Sequence, residues 1–167
     1  MIDEIRLPGF RYQCVIVDPN GVEVDRFVSR NLMPQQALDY FAGAVTGIGS
    51  VVPAWYIGLF ANDYTPVPSV TAAVLPTTVG EFTGYSEATR PQWEGVYDGI
   101  GRVDNESAIA EFSVEQDVTL YGAFLVSDPT KGSGTGIILS ISRFPSPKEI
   151  EAGSTFKVRA GINIVGA

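Results

Sequence analysis

The stretch FRYQCVIVDPNGVEVDRFV, residues 10–28, decides the fold class of this chain. Bulky apolar side chains alternate with other residues on both sides of Asn20 and Gly21, and an Asn-Gly pair favours the tight turn of a β-hairpin. Successive side chains of a strand point to opposite faces, so this period of two is typical of a half-buried strand. The stretch predicts an antiparallel hairpin over about residues 10–29.

The next stretch, NLMPQQALDYFAGAV, has a different apolar period. Leu38 and Phe41 recur with helical spacing, and Ala37 adds to the same face. Pro34 suits the first turn of a helix, and Gly43 suits a left-handed cap at its end. One short helix is therefore predicted over about residues 34–43.

The motif WYIGLFANDYTP combines an apolar strand with the start of a polar segment rich in proline. Little polar alternation interrupts residues 54–61, which predicts a strand covered on both faces. Residues 62–80 contain Pro66, Pro68 and Pro76, which have no N–H group to donate to a neighbouring strand. The residues are therefore expected to form a long loop without regular structure, and a loop of this length is usually functional. We expect the strand to hold the loop in place and the loop to bind a partner.

Further strand-like runs continue along the chain, among them SAIAEFSV, VTLYGAFLVS, GIILSISRF and TFKVRAGINIV. The segment EFTGYSEATRPQWEGV predicts irregular strand, and DPTKGSGTG predicts a flexible connection. No repeat, linker or charge block divides the sequence. We expect residues 1–167 to form one mainly β domain, a single antiparallel β-sandwich or jelly roll with one short helix, whose sandwich covers about residues 54–165.

The chain has no histidine, which excludes imidazole bases, the usual serine or cysteine triads and most zinc sites. The carboxylates between residues 81 and 111 could serve a glycosidase, but their turn-rich surroundings predict a solvated acidic face instead. The lone Cys14 lies in an apolar run and is expected to be a buried thiol. We predict a protein that is not an enzyme and has no catalytic residues, cofactor or metal.

The net charge and the apolar runs limit the classes of partner that the chain is expected to bind. A formal net charge of −8, from 19 acidic and 11 basic residues, argues against nucleic acid as a partner. No apolar run approaches the roughly 20 residues of a membrane helix, so no membrane is expected either. The start MIDEIRLPGF lacks the basic residues and apolar run of a secretion signal, which predicts synthesis in the cytoplasm.

Several motifs, taken in order, resemble those of small virion proteins encoded among the structural genes of tailed bacteriophages. They are RNLMPQQALDYFAGAV, WYIGLFANDYTPVPSVTAA, EFTGYSEATRPQW, LYGAFLVSD and GIILSISRFPSPKEIEAGSTFKVRAGINI, which together cover about residues 30–164. The resemblance implies a capsid decoration or cement protein. Such a protein would be a β-rich trimer or dimer, made in the host cytoplasm and bound to the major capsid protein on the outside of the virion.

Contacts with the capsid or a sister subunit are expected in the proline-rich loop and the segment after it. The candidate residues are Asn62, Asp63, Tyr64, Thr65, Pro66, Pro68, Tyr85, Arg90 and Trp93. Two alternatives stay open at this point: a tail or neck component of the virion, and a carbohydrate-binding receptor module that uses exposed aromatic side chains such as Tyr64, Tyr85 and Trp93.

Overall fold

The computed structural model describes residues 9–163, and its main elements are strands of two antiparallel sheets. The strands are β1 (Phe10–Val17), β2 (Glu23–Arg30), β3 (Trp55–Phe60), β4 (Glu81–Phe82), β5 (Gln92–Trp93), β6 (Val96–Tyr97), β7 (Arg102–Asp104), β8 (Ala110–Ser113), β9 (Val118–Val126), β10 (Ile138–Ile150) and β11 (Thr155–Asn163). Sheet A has the order β2-β1-β11-β7-β6, with β8 also paired to β11. Sheet B has the order β10-β9-β3-β4, with β5 paired to β3. The predicted mainly β sandwich is confirmed.

The first hairpin forms as predicted, from β1 and β2. The Asp18 carboxylate accepts hydrogen bonds from the backbone N–H groups of Asn20 and Val22, which closes the turn. Gly21 has a φ of 82°, a left-handed conformation that favours glycine. Each residue of β1 also pairs with β11, so the hairpin is joined to the C-terminal part of the sandwich.

The helix α1 (Gln35–Thr46) runs three residues beyond the predicted end. Its left-handed C-cap is Gly47, with a φ of 71°, so the prediction that Gly43 ends the helix is wrong. Gly43 instead lies against the returning chain, since a Cβ built on it would be 3.3 Å from the Cα of Gly49. The glycine at 43 therefore permits close packing rather than a turn.

The two faces of β3 belong to two different apolar clusters. Ile57 and Leu59 are completely buried between the sheets, in a cluster with residues such as Tyr12, Phe112 and Phe156. Phe60 is also completely buried but belongs to a second cluster on the outer side of sheet B. The prediction of a strand covered on both faces is confirmed for the buried run of residues 57–60.

Residues 62–80 supply the cover over the outer side of sheet B. The prediction of a segment without regular structure is wrong, because a 3₁₀ turn (Ala72–Val74) leads directly into a π-helical turn (Leu75–Val79). Leu75 and Val79 are completely buried in the second cluster. The backbone N–H of Ala61 donates to the carbonyl of Gly80, so the two ends of the segment meet. Burial of apolar side chains holds a segment that its prolines keep out of the sheet.

Candidate interaction surface

The last turn of α1 and the segment that joins it to β3 carry large aliphatic side chains that the fold leaves in solvent. Val45, Ile48 and Val51 are 88%, 86% and 80% exposed. Single exposed apolar residues are ordinary, but a group of them is typical of a surface that meets another molecule. The segment is therefore a candidate contact surface that the sequence analysis did not single out.

A second group of exposed apolar side chains lies at the hairpin formed by β6 and β7. Val96 and Tyr97 on β6 are more than half exposed, and Ile100 in the turn is 86% exposed. The Asp98 carboxylate accepts hydrogen bonds from the backbone N–H groups of Ile100 and Arg102, which fixes the turn. The backbone therefore holds Ile100 at the tip of an ordered hairpin.

These two groups flank one cross-strand pair of sheet B along the chain, although the second group itself lies on the hairpin of β6 and β7 in sheet A. Trp55 on β3 and Trp93 on β5 are direct cross-strand partners, and Val51 and Val96 are four and three residues away from them along the chain. A stretch of four extended residues spans at most about 14 Å, so Val51 and Val96 each lie within about that distance of the paired tryptophans. We call this set the apolar end of the molecule; it consists of Val45, Ile48, Val51, Val96, Tyr97 and Ile100.

Trp93, one of the predicted contact residues, makes its contacts within the fold. Its indole Nε1–H donates to the backbone carbonyl of Ala160 at 2.8 Å. Its ring meets that of Phe10 edge to face, with centroids 5.8 Å apart. Trp93 is half-buried and joins β5 of sheet B to β1 and β11 of sheet A.

Arg90, a second predicted contact residue, lies inside the protein. Its side chain and that of Glu81 are both completely buried, and the guanidinium donates to the two carboxylate oxygens at 2.7 and 2.6 Å. Arg90 also donates to the backbone carbonyls of Asp128 and Ser133. The side chain is not available to a partner, and the expectation that Glu81 belongs to a solvated acidic face is wrong.

The same buried pair organises the connection between β9 and β10, which was expected to be flexible. Asp128 accepts hydrogen bonds from the backbone N–H of Thr130 and from the hydroxyls of Ser133 and Thr135. Partial burial raises the pKa of Asp128, but these hydrogen bonds outweigh it and hold the pKa well below its usual range. The connection is therefore a hydrogen-bonded loop built on Arg90.

Tyr85, a third predicted contact residue, is 1% exposed and packs edge to face on Phe112. Burial raises the pKa of its hydroxyl above the ordinary range. Lys131 lies over one face of the ring, 4.3 Å from its centroid. Tyr85 can neither contact a partner nor stack on a sugar in the folded protein, which removes one of the three aromatic residues proposed for a carbohydrate site.

The predicted contacts at residues 62–68 are divided between the interior and the surface. Asn62 donates to the carbonyls of Thr77 and Thr78, and Tyr64 is half-buried against Phe60, so both hold the segment in place. Asp63 is exposed and forms an ion pair with Arg143. Thr65 and Pro68 are exposed, whereas Pro66 is half-buried. A contact role for the exposed members stays a prediction.

The described residues hold few of the groups that catalysis would use. Within residues 9–163, no group of three or more cysteine and carboxylate side chains is placed to hold a metal ion. Asp104 and Glu106 both accept hydrogen bonds from Arg159, which ties this pair of carboxylates to a cation. Cys14 is completely buried, and burial raises the pKa of its thiol. These groups serve the fold.

The helices of residues 9–163 include none that is both long and apolar enough to cross a membrane. No protein-family model and no curated protein matches the chain. The apolar end exposes six large apolar side chains, which is typical of a surface that meets another molecule.

Proposed function

We propose that this chain is a non-enzymatic capsid decoration or cement protein of a tailed bacteriophage, which binds and stabilises the lattice of the major capsid protein. The observation that carries the proposal is the apolar end, where six large apolar side chains are exposed on two ordered segments. Five of them are aliphatic, so their burial against another surface is favourable without any specific polar partner. The order of motifs along the chain supports a virion protein as its class.

The proposed mechanism is mass action. A protein that binds the assembled shell, and not its separated subunits, stabilises the shell by the free energy of that binding. Binding as a trimer or dimer would multiply a weak contact through avidity. The two-sheet fold suits this role because it presents Val96 and Tyr97 on the paired strand β6, which needs little reordering on binding.

Copy number in the virion tests the proposal first. We expect quantitative mass spectrometry of purified particles to find about as many copies as there are capsid subunits. A handful of copies would instead identify a tail or neck component, and complete absence from particles would overturn a virion role.

A binding experiment tests the surface itself. Ile48→Ser with Val51→Ser should abolish co-sedimentation of the purified protein with expanded capsids while leaving it folded. The matched control is Val22→Ser with Val24→Ser, which removes two exposed valines outside both the apolar end and the loop of residues 62–80. Equal binding by the double variant and the wild type would show that the apolar end is not the contact.

A further inference from the structure

The outer face of sheet A carries a basic depression in a chain of net charge −8. Arg11 on β1, Arg30 on β2, Arg102 on β7 and Arg159 on β11 line an open cavity of about 940 Å³. We call these four residues the basic depression. The positive charge of this face is opposite in sign to the net charge of the whole molecule.

Two of these arginines lie side by side on neighbouring strands. Arg11 and Arg30 are direct cross-strand partners, an arrangement in which like charges destabilise a sheet. Within residues 9–163, neither forms a salt bridge, whereas Arg102 and Arg159 are both paired with Asp104 and Glu106. Among residues 9–163, the half of the depression on β1 and β2 therefore presents positive charge without an ion-pair partner.

Negative charge collects near the end of β10 and at two turns, the one between β8 and β9 and the one between β10 and β11. Glu115, Asp117, Glu149 and Glu151 are all exposed, and the structure of residues 9–163 gives none of them a salt bridge. The backbone N–H of Ala152 donates to the Asp117 carboxylate at 2.8 Å, which holds the two turns together. We call these four residues the acidic end.

The acidic end and the uncompensated arginines lie at opposite ends of the β1–β2 hairpin. Gly153 in the acidic turn lies against Pro19 in the hairpin turn, where a Cβ on the glycine would be 3.4 Å from the proline ring. Arg11 is six residues before the end of β1, or about 20 Å along the strand. One end of the β1–β2 hairpin therefore lies beside negative charge, and its other end carries positive charge.

We propose that the basic depression of one copy binds the acidic end of a second copy. Charge complementarity selects this occupant, because both surfaces belong to the same chain and carry opposite charge that no ion pair among the described residues neutralises. The inference rests on the homo-oligomer part of the proposed function and does not require binding to a capsid.

Such a contact joins two different surfaces and is therefore heterologous. A heterologous contact closes into a ring, such as a trimer, or continues as a filament, whereas a twofold dimer uses the same surface on both copies. Of the two oligomers expected from the sequence, the contact selects the trimer over the dimer.

Sedimentation velocity of the full chain tests the contact without any capsid. The wild type should self-associate at about 0.1 M salt, where the Debye length is about 10 Å, and dissociate toward monomer at about 1 M salt, where it is about 3 Å. R11E/R30E and E115K/E151K should each weaken association by more than about tenfold, because the first places like charges face to face and the second removes the net charge of the acidic end. The matched control is D39K/E94K, which reverses two exposed carboxylates outside the acidic end and should associate at least as well as the wild type.

A mixture of the two charge-reversed variants gives the sharpest test. R11E/R30E keeps the acidic end intact and E115K/E151K keeps the basic depression intact, so an equimolar mixture should form one-to-one dimers through this single contact although each variant alone is monomeric. A monomeric wild type at low salt, wild-type association by R11E/R30E, or a mixture that stays monomeric would each overturn the head-to-tail contact. Capsid binding can fail or succeed independently of all three results.

Discussion

Phe124 on β9 lies over Gly58, its direct cross-strand partner on β3. A Cβ at position 58 would overlap the end of the Phe124 ring. Two pairs further along the same strands, Phe60 covers Gly122 in the same manner. Glycine inside a strand is otherwise unfavourable, so its presence here is explained by the aromatic ring that fills the space above it.

Gly58→Ala should therefore lower the free energy of unfolding by about 1–3 kcal/mol through overpacking. Gly58→Ala combined with Phe124→Leu should cost less than the sum of the two single changes, because the shorter side chain makes room for the methyl group. Chemical denaturation of the four proteins measures this coupling. Additive costs would show that the ring and the glycine do not depend on each other.

The second prediction concerns the buried ion pair. Arg90→Met should destabilise the protein by about 3–5 kcal/mol, because it leaves the Glu81 carboxylate buried without its partner. Arg90→Lys keeps the charge but cannot reproduce the two-pronged contact, so its stability should fall between those of Arg90→Met and the wild type. Arg26→Met, which removes an exposed ion pair with Glu23, is the control and should leave denaturant unfolding unchanged. A stability of Arg90→Lys equal to that of the wild type would contradict a role for the forked geometry.

The third prediction concerns pH. The folded-state pKa of Asp128 lies below the value of about 3.9 for an unfolded chain, so its carboxylate stabilises the fold above about pH 4. That contribution is lost as the pH falls below about 4 toward the folded-state pKa. Asp128→Asn should cost about 1–2 kcal/mol at neutral pH, from weaker hydrogen bonds to Ser133 and Thr135.

Urea unfolding of Asp128→Asn and the wild type at about pH 7 and about pH 3 checks this expectation. The difference between the two proteins should be largest at the higher pH and should shrink at the lower one. A gap of the same size at both values would mean that the charge of Asp128 does not stabilise the connection between β9 and β10.

The fourth prediction concerns the single thiol. Cys14 is completely buried and its pKa is raised by burial, so the folded protein should hold almost no thiolate to react. A disulfide reagent at neutral pH should label Cys14 only as fast as the chain opens, which absorbance of the released thiol would follow. The urea-unfolded chain provides the control and should react at once. Rapid labelling of the folded protein would contradict the burial of this residue.

The fifth prediction compares the same substitution at two isoleucines. Ile57→Ala should cost about 2–5 kcal/mol, because Ile57 is completely buried between the sheets. Ile48→Ala should change stability by less than about 0.5 kcal/mol, because Ile48 is 86% exposed. Thermal unfolding of both variants checks the contrast. A comparable loss of stability at the two positions would place Ile48 in a core rather than at the apolar end.

The hairpin of β1 and β2 could be predicted because its signals are local. Alternating apolar residues and the pair Asn20-Gly21 lie within 20 residues of one another, and a tight turn determines the pairing of its two strands. Residues 57–60 on β3 could likewise be recognised as buried on both faces, because the apolar run itself carries the information. The predicted end of the helix was three residues short of the observed one. The prediction chose Gly43 as the cap because Gly43 and Gly47 satisfy the same capping preference.

The features that could not be predicted depend on contacts between residues far apart in the sequence. Glu81 and Arg90 are polar and surrounded by turn residues, and nothing local indicates that Arg90 will meet the carbonyls of Asp128 and Ser133 inside the protein. The candidate contact surface could not be predicted for the same reason. The apolar side chains Ile48 and Ile100 look like core residues in the sequence, whereas the prolines after Phe60 look like exposed loop.

The sequence by itself determined the class of structure, since the period of the apolar side chains and the turn residues specify strands before any tertiary contact forms. It also determined, through the absence of histidine, which catalytic chemistries were excluded. Only the tertiary structure decided which polar residues are buried and which apolar residues are exposed. Burial depends on the cover that distant segments provide, as residues 62–80 provide it for Phe60 and no described segment provides it for Ile48.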